Sequence, residues 1–543
     1  MPATGKSNNR QELKKNNSVM ERLKEFFLGT DKSISITTLA IMLISLVIAR
    51  LLLSMIRRCQ LDADCYAYWS DYLITNNWKD FYQDISYAIY GTVYLYFMWI
   101  TGHIMKVWQL FFVLINVVGG LFVYFVHKKV DKTNSKKLIP VFYSYIGLII
   151  TSIIVVLFLS SSDVPTIKGY MIKMWYVLFD IIGGILIYKI GKRCNKERLG
   201  ALIGAVYILN PGIFVNSSMW GQLDTIIATM MLLSIYLLST KRMLAGVAMV
   251  VVSLMTKPQA IVVLPVAGVL FLALLPWEKA SSNKLWFIKK SLYAIVSSIL
   301  VALAVYTVLF LPFYNPNVSA VSEGSSFTDI FTFAQGDSFI SRTVDFFTWM
   351  PNRYFSGVGQ YAYATANAFN LWTVMGGQAV ASTDPFLGLT YNTWGTIFFL
   401  TTVLLTLAFL FIELFRKEKK RIFPLYFAVF FINTGFFTLY TNIHERYLLP
   451  SIIFAMVCIL WDKRFILVSI LISISSFINQ YYIYYLANSG KSVWVSRYDW
   501  IAVTTAIVTV LVMLYSFYLM ISIALNKKTE NDDDVIDQGS FAS

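Results

Sequence analysis

Apolar runs of about twenty residues recur along the whole of this 543-residue chain, and they leave few folds open to it. Such a run is the length of helix that crosses about 30 Å of hydrocarbon. Only helices satisfy every backbone donor and acceptor within their own segment. The short alternating strands of an outer-membrane barrel do not appear. Composition agrees, with 57% hydrophobic residues and only 14% charged. The expected fold class is an all-α polytopic membrane protein with about 14 transmembrane helices and long outer loops carrying short helices. The spans are expected near 34–54, 107–126, 138–160, 171–190, 199–216, 223–239, 243–256, 259–275, 290–312, 393–414, 422–441, 448–461, 465–485 and 500–525. The domain plan follows: a basic cytoplasmic segment over 1–33, a transmembrane domain over 34–525, and an acidic cytoplasmic tail over 526–543, expected to be disordered. Outer loops fall at 57–106 and 313–392. The second is rich in Phe, Tyr and Trp, which argues against disorder.

Charge fixes an orientation. With fourteen spans, 31 Lys and Arg fall on the side of the N-terminus and 12 on the other. The positive-inside bias then places both termini in the cytoplasm. It also explains the net charge of +15 without nucleic acid. Four cysteines match no metal spacing or disulfide framework.

Polar groups at membrane depth are costly and tend to mark function. Four clusters stand out: Asp62-Ala63-Asp64, Trp220-Gly221-Gln222-Leu223-Asp224, Thr256-Lys257-Pro258-Gln259 and His444-Glu445-Arg446-Tyr447. They follow spans 1, 5, 7 and 11, so all four are expected on the extracytoplasmic face. A carboxylate at Asp62 or Asp64 is suited to take a proton from an acceptor hydroxyl. The pair also leaves a Mg²⁺ or Mn²⁺ site open; otherwise both are solvated loop acids. Trp220, Gln222 and Asp224 suit a sugar ring, with its apolar face on the indole and its hydroxyls on the polar groups. The plainer reading is an interfacial tryptophan and a helix cap. Lys257 and Arg446 suit phosphate oxygens, with His444 beside them. The competing reading is a snorkelling lysine and an ion pair that fixes a helix junction.

These strings together resemble the GT-C superfamily of membrane glycosyltransferases, in its bacterial mannosyltransferase-like branch. The resemblance rests on Asp62-x-Asp64-x-Tyr66 with Trp69, Asn210-Pro211 leading to Trp220–Asp224, Thr256–Gln259, Asn367-Ala368-Phe369-Asn370-Leu371-Trp372, and His444–Leu448. It implies an enzyme, a hexosyltransferase moving a mannose-like or glucose-like sugar from a polyprenyl-phosphate carrier. The acceptor would be a cell-envelope glycan, lipid-linked glycan or protein, and the anomeric centre would invert. On that resemblance Asp64 is the base, with Asp62 as rival. Lys257, Arg446 and His444 hold the donor phosphate, and Trp220, Gln222, Asp224 and Glu445 hold sugar or acceptor. Two other classes fit the same clusters: a flippase for a lipid-linked sugar, and an outer-face glycan polymerase.

Overall fold

The computed structural model describes residues 34–56, 58–130, 136–321, 338–416 and 421–525. The N-terminal segment 1–33 and the tail 526–543 lie outside the described residues, as do 322–337 of the second outer loop. All fourteen expected spans meet helices. Nine are long and apolar enough to cross a membrane, one is a pair bent by 42°, and four are helices of only 10–17 residues. The protein is an all-α, multi-pass membrane protein.

In chain order the elements used below are α1 Ile36–Leu53, α2 Gln60–Thr75, α3 Thr92–Ile104, α4 Trp108–Lys129, α5 Ile139–Ser160, α6 Val164–Arg193 and α7 Glu197–Ile208. They continue with α8 Asp224–Ser239, α9 Met243–Leu254, α10 Leu264–Ala273, α11 Lys284–Phe310, α12 Phe339–Val358, α13 Tyr391–Phe411, α14 Phe423–Leu439, α15 Leu449–Cys458, α16 Arg464–Asn488 and α17 Trp500–Leu525. Sheet among the described residues is one two-stranded hairpin, β1 Pro385–Phe386 with β2 Leu389–Thr390.

The first expected outer loop carries short helices as expected, α2 and α3 lying within 58–106, and α3 leads directly into α4. The second holds α12, a strongly amphipathic helix interrupted by Pro351. Arg353 fastens it to the first loop. The buried guanidinium donates to the carbonyls of Ala88 at 2.9 Å, Val321 at 3.2 Å and Ser86 at 2.5 Å, over the Tyr82 ring. A planar fork with five donors suits three divergent carbonyls.

Backbone interruptions position the functional side chains. α7 stops where Pro211 cannot continue it, because proline has no N–H to give and its ring clashes with the preceding turn. Asn210 caps the next piece, accepting from the Gly212 N–H at 2.9 Å. The chain then runs through a π-helical turn, Val215–Trp220, which ends on Gly221 at φ +86°. That left-handed conformation is where glycine avoids a Cβ penalty. Further breaks follow α9 at Met255–Lys257 and α14 at Tyr440–Leu448. Irregular backbone at this depth is tolerated where protein surrounds it.

Below these breaks, Arg50 of α1 pairs with Asp180 of α6, and Ser217 of the π-helical turn hydrogen-bonds both. All three are fully buried.

Candidate functional site: a charge-paired polar cluster

The four clusters converge. Trp220 Nε1 donates to Asp62 Oδ2 at 2.7 Å. Tyr66, one helical turn past Asp62, donates its hydroxyl to Gln222 Oε1 at 3.0 Å. Asp224 sits in the first turn of α8, where a carboxylate meets the positive end of the helix dipole. Its Oδ1 accepts from Lys257 Nζ at 2.5 Å and its Oδ2 from Asn216 Nδ2 at 3.2 Å. Arg446 Nε lies 3.7 Å from the same Oδ2, and Arg446 Nη1 donates to Glu445 Oε1 at 2.6 Å. His444 Nδ1 is 3.8 Å from Glu445 Oε2, with its ring edge-on to Tyr361.

Of the acids expected as base, Asp62 and not Asp64 meets the other clusters, through Trp220. On a helix, residues i and i+2 do not share a face. Asp64 turns outward, 53% exposed, toward Arg58 at 3.6 Å. The two carboxylates therefore do not converge on one point, and the pair does not fit a shared Mg²⁺ or Mn²⁺ ion. Among the described residues, no group of three or more His, Cys, Asp or Glu is placed to hold a metal.

Lys257 and Arg446, expected to meet a phosphate, are already committed. Lys257 is buried at 4% exposure against a fully buried Asp224, and its ammonium lies 4.7 Å above the centre of the Tyr447 ring. Burial lowers the Lys257 pKa and Asp224 opposes that shift. At Glu445 burial pushes the carboxyl up, but Arg446 and His444 outweigh it and hold the group at about 2. Burial lowers the His444 pKa against the pull of Glu445. Asp224 and Glu445 are thus matched by Lys257 and Arg446.

Other contributors are not apparent from the sequence clusters. Asn216 links Asp224 to Gln480 of α16 at 2.8 Å. Gln480 also donates to Ser476 Oγ at 2.8 Å and to the Gly212 carbonyl at 3.2 Å. Tyr66, Trp69, Tyr90 and Tyr94 form an edge-to-face group beside Asp62. Two amides, Asn479 and Gln480, inside an otherwise apolar helix were the available signal, since such groups need a partner. The buried Gln222 Nε2 has no hydrogen-bond partner among the described residues. It is an orphan donor beside Tyr66 and Trp220, and such a group usually finds water or ligand.

Two comparisons bear on identity. Residues 145–333, about a third of the chain, match the family model described as PIG-U, GPI transamidase subunit PIG-U. No curated protein matches the chain. The matched segment carries Trp220, Gln222, Asp224 and Lys257. This corrects the expected enzyme class: the family that matches is described as a transamidase subunit, not a glycosyltransferase dependent on a lipid-phosphate sugar. The polyprenyl-phosphate donor loses its support with it. The finding that stands is a multi-pass membrane protein similar, over that segment, to a subunit of a larger assembly.

Proposed function

We propose that this protein is a membrane-embedded recognition subunit whose cleft holds the glycan-bearing headgroup of a GPI-type lipid and presents it to a partner protein. The observation that carries this reading is the internal charge pairing. Asp224 and Glu445 neutralise Lys257 and Arg446, so the cleft is a preassembled polar surface with its cations spoken for. Beside that surface lie the Trp220 indole, the aromatic group around Tyr66, the orphan Gln222 amide and the Asp62 carboxylate. Sugar hydroxyls donate and accept, and they match Asp62 as acceptor and Gln222 as donor. An aromatic face with adjacent polar groups takes the apolar side of the ring. The similarity of 145–333 to a GPI transamidase subunit supports the same headgroup class. The excess of Lys and Arg on the N-terminal side supports an extracytoplasmic cleft with both termini in the cytoplasm.

A binding titration in nanodiscs tests this. A GPI-type glycolipid is offered against phosphatidylinositol, which shares the lipid and phosphate but lacks the glycan. The wild-type chain is expected to prefer the glycolipid at least tenfold, and Gln222→Ala and Asp62→Asn to lose most of that preference. Equal affinity for the two lipids removes the proposal.

A further inference from the structure

Away from the polar cleft, an apolar groove of about 300 Å³ runs between α1, α6 and α7, with Phe122 of α4 at its edge. Small residues give it depth, with Gly184 on α6 and Ala201 and Ala205 on α7. Its floor is not filled by the protein, and Ile185, Tyr188 and Ala205 at its rim are part-exposed. Along α1 the lining runs from Ile36 to Leu46. At 1.5 Å per residue that is about 15 Å, half the thickness of the hydrocarbon. One end is closed by the buried Arg50–Asp180 pair, since Arg50 also donates to the carbonyl of Ile208, a lining residue, at 3.3 Å. The other end opens toward a basic stretch. Residues 189–198 hold Lys189, Lys192, Arg193, Lys196 and Arg198 against a single acid, Glu197. Lys192 lies one turn beyond Tyr188 on the groove's face of α6, its ammonium 6.0 Å from the Tyr188 ring centre. It pairs with Glu197 at 3.1 Å, and Tyr188 also donates to Glu197. Lys189 follows Ile185 by one turn and is exposed.

We propose that this groove is a binding site for an anionic phospholipid of the leaflet on the Lys189 side. One acyl chain fills the groove and the phosphate sits at Lys189 and Lys192. A chain-sized slot one leaflet deep, blind at mid-membrane and basic at its mouth, matches a single lipid in length and charge. A partner's spanning helix does not fit, being 10–12 Å across and needing twice the length. The site is separate from the polar cleft and does not depend on the function proposed for it.

Native mass spectrometry tests this on the full chain released from nanodiscs of equal phosphatidylglycerol and phosphatidylcholine. The wild type is expected to retain one phosphatidylglycerol, with a preference of about fivefold for each lysine at the mouth. Lys189→Gln with Lys192→Gln is expected to keep a bound lipid but lose the preference. Ala205→Phe, which fills the groove from a part-exposed position, is expected to lose the lipid. Its lipid-free thermal unfolding serves as the folding check, and Ala205→Leu is the milder variant if the phenylalanine lowers it. Retention of phosphatidylcholine and phosphatidylglycerol alike by the wild type overturns the proposal. So does unchanged retention in a folded groove-filling variant, or a second copy of the chain bound in place of lipid.

Discussion

At the scale of single residues, Asp224 has the widest reach. It joins Lys257, Asn216 and Arg446 from three other parts of the chain. Removing one member of a buried ion pair leaves an uncompensated charge and costs about 3–5 kcal/mol. Asp224→Asn is expected to destabilise by that order, read as a lowered unfolding midpoint in detergent. Asp224→Leu combined with Lys257→Met is expected to be milder, because no lone charge remains. His444 gives a pH test. Its folded-state pKa lies below the ordinary 6.5, so the unfolded chain takes up the proton first as pH falls. The contribution of His444 is complete above 6.5 and is lost progressively below it, down to the folded value. His444→Gln is expected to flatten the stability profile between pH 7 and 5 while leaving the value at pH 8 nearly unchanged. The sequence reading preferred Asp64 with Asp62 as rival, whereas Asp62 meets Trp220 and Asp64 turns toward Arg58. That choice depends on the rotation of α2, which is set by the packing of Tyr66 and Trp69.

At the scale of elements, the interruptions do the positioning. Gly221 holds φ +86°, and a Cβ there meets nothing closer than Lys173 Cγ at 3.6 Å. Gly221→Ala is therefore a conformational cost without a clash, about 1 kcal/mol in thermal unfolding. Gly91 is the opposite case. A Cβ there would lie 2.0 Å from the Met255 carbonyl oxygen, where α3 begins against the break after α9. Gly91→Ala is expected to push the first outer segment off the Lys257 break and to weaken headgroup binding more than stability, seen by comparing the titration with the unfolding midpoint. The breaks themselves were legible, because Asn210-Pro211-Gly212 and Lys257-Pro258 carry local chemistry. The helical content of 57–106 was less so. Its α2 carries polar and aromatic residues rather than an apolar run, with Tyr66, Trp69 and Tyr72 buried against protein.

At the scale of the whole molecule, the helical membrane architecture was legible because hydrocarbon thickness sets the length of a spanning helix; each of the fourteen expected segments meets a helix, and nine of those are long and apolar enough to cross a membrane. Function was not legible in the same way. The same acids, aromatics and cations serve catalysis or recognition, and the difference lies in whether the cations already have partners. Sidedness has a direct test: single cysteines at Ser161 and Ser282, both exposed and in loops separated by five expected spans, are expected to label from opposite compartments in intact cells. Labelling of both from one side would break the parity on which the proposed extracytoplasmic placement depends. The order of the chain adds a consequence for biosynthesis. Arg446 leaves the ribosome 222 residues after Asp224. At 5–20 residues per second, that is about 10 to 45 s. Throughout that interval Asp224 waits in the nascent protein without the partners that arrive last, and a nascent chain stalled before residue 444 is a natural target for membrane quality control.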